Sequence, residues 1–346
     1  MKLPFPPPLA PMEAKTASDV PTGEDWSYEP KWDGFRAICF RDGDEVEITS
    51  RKQLPFNRYF PDIEAAIRSG PAKRAVLDGE IVIFGPGGLD FDALLQRIHP
   101  AASRVARLAK ETPASFVAFD LLAEGDEDLR STPFGERRAR LERALARAKP
   151  PLLLSPQTAD PDVARGWLTE FDVSGLDGVV AKHMDRPYRS GEREMIKVKR
   201  LRTADLVVAG FRWAKDQEGA AVGSLLLGLY HDGKLHHVGF TSGFKAAERK
   251  ELIKVLDPHR GGDAFTGARP GGASRWKSEE EAEFQPLDGR LVVEVSFDQV
   301  TGHRIRHGAR FLRWRPDKPP EQCTFEQLYP SGTKEELDAL FQGEGW

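Results

Sequence analysis

Four short stretches of this chain place lysines and carboxylates inside otherwise apolar, strand-like sequence. They are EPKWDGFR at 29–36, LDGE at 77–80, LDGVVAK at 176–182 and IKVK at 196–199. Such charges constrain the fold, because a lone buried charge is too costly to keep. Residues two apart on a strand share a face, so Asp78 and Glu80 point together, as do Lys197 and Lys199. Several strands aiming charges the same way line a polar cleft. Taken singly, Asp33-Gly34 or Asp177-Gly178 would read only as a turn.

The cores needed to carry those strands are available: 346 residues, 40% hydrophobic, with twenty Phe and seven Trp. That length suggests two domains. The net charge of −4 does not by itself point to a nucleic-acid partner, although local fields matter more than the sum. Cys39 and Cys323 show no metal-like spacing, which fits a reducing cytosolic compartment. The opening MKLPFPPPLAPM is broken by prolines and reads as neither a signal peptide nor a helix. From composition it could equally be a disordered tail. No run approaches the length of a membrane-spanning helix.

FRAICF, RDGD and EVEIT predict a β-hairpin, and PDIEAAIRSG a helix started by Pro61 and closed by Gly70. AVLDGEIVIF and ASFVAFDLL read as buried strands, separated by a helical DFDALLQRI. The stretch 135–148 predicts an amphipathic helix with a solvated charged face. PLLLS, LDGVVAKH and EMIKVKR complete the strands, with a helix at DPDVARGWLTEF capped by Asp160. The first part is therefore α+β with mainly antiparallel sheets, expected over 1–201. After KRLRTAD, four strands (LVVAGFRW, SLLLGLY, KLHHVGF, RLVVEVSF) and one helix (AAERKELIKVL) predict an OB-fold β-barrel over 202–346. RGGDAFTGARPGGAS between them reads as a loop.

A cleft of lysines and carboxylates is what nucleotide phosphates with a divalent cation require. Lys31 could then act as a nucleophile, since nearby cations favour its neutral amine. Asp33 could orient that amine or bind metal, and Arg36 could contact ribose or phosphate.

EPKWDGFR resembles the Lys-x-Asp-Gly-x-Arg nucleophile motif of the covalent nucleotidyltransferases: DNA ligases, RNA ligases and mRNA capping enzymes. The family's other motifs follow in order: SRK at 50–52, LDGE at 77–80, FDLL at 119–122, DGVVAK at 177–182, IKVK at 196–199 and FLRWRPDK at 311–318. LRTADLVVAGFRW, GSLLLGLY, RWRPDKPPEQCTFEQL and the Pro-rich start narrow the resemblance to bacterial ATP-dependent DNA ligases of the short C-type.

The resemblance implies a lysyl-AMP at Lys31, with Asp33, Lys197 and Lys199 in the chemistry. It implies nucleotide contacts from Glu29, Arg36, Glu80, Phe119 (stacked on adenine), Lys182, Lys197, Lys199 and Arg315, the last in a closing motif with Asp317 and Lys318. Arg51 would meet the 5′-phosphate of nicked double-stranded DNA. Arg304 and Arg306, in a basic cluster, are further candidates for DNA binding. Glu80 and Asp177 would serve magnesium or manganese. The fourth motif usually carries Glu-Gly, whereas this chain has Asp177-Gly178, and EMI replaces the aromatic residue that often precedes Lys197. The expected protein is a monomeric cytosolic repair enzyme that uses ATP and needs no membrane. An RNA ligase, a GTP-specific capping enzyme and a non-catalytic OB-fold nucleic-acid binder are the alternatives.

Overall fold

The structure, a computed structural model, describes all residues except 87, 171–175, 200–201, 271–282, 299, 302, 307 and 329–346. It has one compact unit over Met1–Arg200 and a second over Leu201–Pro330.

In the first unit the strands are β1 (Glu13–Ala17), β2 (Trp26–Pro30), β3 (Phe35–Asp42), β4 (Glu45–Ser50), β5 (Arg74–Val82), β6 (Ser115–Glu124), β7 (Leu152–Leu154), β8 (Val179–His183) and β9 (Arg193–Val198). The helices are α1 (Pro61–Ser69), α2 (Phe91–Gln96), α3 (Ala102–Glu111), α4 (Phe134–Leu145) and α5 (Pro161–Glu170). The predicted hairpin is present: β3 and β4 pair from Ala37↔Ser50 to Asp42↔Glu45, with Gly43 at φ +63° in the turn. Helix α3 was not predicted; only Val105 and Leu108 of its ten residues are buried, a weak apolar signal.

Two sheets result. One has the order β1-β9-β8-β2, and the other β7-β6-β5-β3-β4. Pairing is antiparallel except for β1 with β9 and β7 with β6. The long sheet packs one face against helices through Ile63, Ile67, Leu94, Leu141 and Leu145. Tyr28, Val117, Phe119, Val179 and Ala181 form a core between the two sheets. The Pro-rich start is packed rather than free: Phe5 and Met12 are buried with Phe40, Tyr188 and Met195. Burying a side chain such as Phe5 contributes about 1.5–3 kcal/mol, enough to hold an extended, proline-stiffened segment in place.

The second unit contains β10 (Arg202–Trp213), β11 (Val222–His231), β12 (Lys234–Thr241), α6 (Ala246–Leu256), β13 (Gln285–Phe297) and β14 (Arg310–Trp314). Strand order is β12-β11-β10-β13-β14, all antiparallel. A bridge between Thr241 and Ala309 links the two edges, so the sheet curls into an OB-type barrel. Leu206, Val208, Leu225, Leu227, Val293 and Val295 fill it. The last part of the predicted Gly-rich loop lies outside the described residues.

Candidate active site

Lys31 follows β2 directly, and the β2–β8 ladder continues through it. Its N–H donates to the Gly178 carbonyl at 2.8 Å, and its carbonyl accepts from Asp177 N–H at 2.9 Å. That register sets the two side chains together, with Lys31 Nζ 2.5 Å from Asp177 Oδ2. Lys199, just past β9, reaches the same oxygen at 3.0 Å. One carboxylate therefore spans two ammonium groups. Asp177-Gly178 is not a surface turn. Gly178 sits at φ +131°, and a Cβ there would lie 2.1 Å from the Val198 carbonyl oxygen. Gly34 has a related role, since its Cβ would meet the Ile81 carbonyl at 2.2 Å.

Lys197 lies on the same face as Lys199. Burial lowers its pKa, and the charges of Lys31, Lys199 and Arg51 lower it further against the pull of Asp177. Arg51 is exposed and donates to Glu13 Oε1 at 2.7 and 3.0 Å. Lys31, Arg51, Asp177, Lys197 and Lys199 are thus brought into one cationic cluster.

The β3–β5 ladder sets Arg36 opposite Glu80. Arg36 makes a bidentate pair with Asp78 at 2.6 and 2.7 Å, and its guanidinium lies 4.4 Å from the centre of the Phe119 ring. Asp78 is fully buried and also accepts from the Tyr188 hydroxyl at 2.6 Å. Glu80 is half-buried. Burial pushes its carboxyl up to about 7, opposed by Arg36 and Lys31 and reinforced by Asp33 and Asp78. The charges of Lys31, Asp33 and Arg36 therefore all act on Glu80.

Phe119 is only 6% exposed. Besides Arg36, Lys182 Nζ lies 4.6 Å from its ring centre. Lys182 donates to Glu29 Oε2 and to the Phe119 carbonyl, both at 2.9 Å. Burial lowers the pKa of Lys182, and Glu29 resists that shift.

Helix α4 overturns the expectation of a solvated charged face. Arg137 is fully buried and makes a bidentate pair with the buried Asp120 at 2.8 and 2.9 Å. Arg138, also buried, approaches Glu29 at 3.5 Å. The signal was present in the spacing: Phe134, Arg137, Arg138, Leu141 and Leu145 form one helical stripe. The arginines on it are matched by acids on β2 and β6, which only the fold brings near. Asp78 and Tyr188 were likewise missed as the groups that hold Arg36.

Arg304, Arg306 and Arg315 belong to the second unit. Arg304 and Arg306 are exposed, and Arg304 Nη2 lies 2.5 Å from His237 Nδ1. Arg315 is engaged by two carboxylates, Asp205 at 2.8 Å and Asp317 at 2.8 Å.

The chain matches the ATP dependent DNA ligase domain model over residues 7–199 and the ATP dependent DNA ligase C terminal region model over 218–318. The chain belongs to the ATP-dependent DNA ligases. This ligase is 50% identical to DNA ligase C2 of Mycolicibacterium smegmatis, over 95% of its own length and 96% of that protein. It is 49% identical to DNA ligase C of Mycobacterium tuberculosis, again over 95% and 96% of the two chains. The short bacterial C-type is thus matched along nearly the whole ligase. In fold it resembles a solved Lig E DNA ligase, with a TM-score of 0.52, 20% identity and coverage of 88% and 99% of the two chains. The described residues contain no helix long and apolar enough to cross a membrane.

Proposed function

We propose that Lys31 is the nucleophile through which this ligase seals nicks in duplex DNA. The observation that carries this reading is the contact of Lys31 Nζ with Asp177 inside a cluster of three lysines. Asp177 is the proton acceptor nearest that ammonium. Loss of the proton frees the amine to attack the α-phosphorus of ATP. A P–N bond forms, the bond to pyrophosphate breaks, and AMP is left on lysine. A 5′-phosphate oxygen then attacks the same phosphorus and breaks the P–N bond. Finally the 3′-hydroxyl attacks the activated 5′-phosphorus and AMP leaves.

Lys197 and Lys199 neutralise the α-phosphate, and Arg51 faces the 5′-phosphate. The base lies against Phe119 with its exocyclic amine toward Glu29, while Arg36 serves the ribose and phosphate region. Magnesium or manganese would neutralise phosphate charge. Glu80 suits such an ion better than Asp177, because its carboxyl is raised to about 7 by incompletely compensated burial while two lysines already bracket Asp177. Among the described residues no group of three or more His, Cys, Asp or Glu is set to hold a metal, so phosphates would complete the ligand set. Nucleotide transfer is assigned to 1–201 and DNA contact, through Arg304 and Arg306, largely to 202–346, with Arg315 in the closing motif. Two buried, unpaired cysteines support work in a reducing bacterial cytosol.

The test is incubation with ATP labelled at the α-phosphate, with magnesium, followed by denaturing electrophoresis. Wild-type protein retains label, and Lys31→Ala retains none. Label persisting in that variant, or appearing from GTP but not ATP, overturns the assignment. Sealing of nicked DNA but not nicked RNA completes it.

A further inference from the structure

Glu29, Lys182 and Arg138 form a buried cluster of charges behind the Phe119 ring, at 3%, 3% and 5% side-chain exposure. Two of its atoms are left over. Glu29 Oε1 and Arg138 Nη1 are both buried, neither makes a hydrogen bond, and they lie 3.5 Å apart. The rest of the cluster is anchored. Arg138 Nη2 donates to the Ser155 carbonyl at 2.8 Å and Nε to Glu142 at 2.8 Å. Trp32 Nε1 donates to Ser155 Oγ at 3.0 Å, which ties that loop to the nucleophile segment. Glu29 Oε2 is held by Lys182, so Oε1 is the oxygen of this carboxylate left with no hydrogen-bond partner.

We propose that Arg138, from helix α4, is a positioning residue for base selection: its guanidinium, 3.5 Å from Glu29 Oε1, holds that carboxylate in place. This deepens the reading of Glu29 given above and rests on it. A carboxylate accepts from the 6-amino group of adenine and repels the 6-oxo group of guanine, whereas a protonated acid can donate to that oxygen. The charges facing Glu29 are Lys182, Arg138 and Asp120. The net direction is upward: burial pushes its carboxyl up more than Lys182 and then Arg138 pull it down, and Asp120 pushes it up again. Removing the guanidinium therefore favours the protonated acid.

The experiment measures enzyme–nucleotide formation from ATP and from GTP, as kcat and KM, between pH 5.5 and 8.5. Arg138→Gln keeps a donor for Ser155 but loses the charge. It should raise the KM for ATP about tenfold, leave kcat within about threefold, and cut ATP-over-GTP discrimination about tenfold, most at low pH. Arg138→Lys, the less disruptive variant, should keep discrimination within about threefold by retaining charge. Glu29→Gln, able both to donate and to accept, should lose discrimination. If Glu29→Gln discriminates as wild type, the reading of Glu29 fails. If it loses discrimination while a folded Arg138→Gln keeps it, or if Arg138→Lys loses it, the role of Arg138 is overturned.

Discussion

Lys31 and Lys199 share one oxygen of Asp177, at 2.5 and 3.0 Å, so a single nearly buried carboxylate holds two ammonium groups together. Without it the lysines repel each other, and Lys31 loses its nearest proton acceptor. Asp177→Asn should slow enzyme–AMP formation about 100-fold while secondary structure is kept, the range expected for losing a positioned general base. Asp177→Glu, one methylene longer, should recover part of that rate. Rapid-quench labelling checks both, and an Asp177→Asn rate within threefold of wild type would sink the role.

Asp78 tests the layer beneath. It is fully buried and is the bidentate partner of Arg36, so Asp78→Asn leaves a guanidinium uncompensated. The expected cost is about 3–5 kcal/mol in urea unfolding. Tyr188→Phe removes only the hydroxyl that donates to Asp78 and should cost about 1–2 kcal/mol. Equal losses in the two variants would contradict the geometry.

Glu80 should show a stability and function conflict that depends on pH. Its folded pKa, about 7, lies above its ordinary value of 4.5, so the folded state binds the proton more tightly than the unfolded state. Its contribution to stability is then fully present below about pH 4.5 and is lost as pH rises through about 7. Glu80→Gln should be more stable than wild type at pH 8 by about 1–2 kcal/mol, discounted for partial exposure, with the gap closing by pH 5. The same variant should be nearly inactive. Thermal melts across pH in the apo protein read the first effect, and AMP labelling the second.

Arg51 separates DNA contact from nucleotide transfer. It is exposed and pairs with Glu13 at 2.7 Å. Arg51→Ala should leave enzyme–AMP formation within about threefold but weaken binding of nicked DNA, and lower the salt slope of that binding by about one. An unchanged slope would remove Arg51 from the phosphate contacts.

Sequence by itself indicated most of the strands, though not β1 or β14, and which faces carry charge. Period-two alternation set Asp78 with Glu80 and Lys197 with Lys199, and turn chemistry at Gly43 set the hairpin, because both are local properties of the backbone. The motif order around Lys31 was likewise readable along the chain. Tertiary structure alone decided the pairings that give those charges their use. Asp177 meets Lys31 and Lys199 only because β2, β8 and β9 converge at a glycine no other residue could replace. Arg137 and Arg138 looked like a solvated helix face, since spacing shows that residues share a stripe but not what faces it. Their partners, Asp120 and Glu29, stand on separate strands. A charge becomes affordable inside a protein only when its counter-charge arrives through space, and that meeting is set by the packing of sheets and helices rather than by neighbours in the chain.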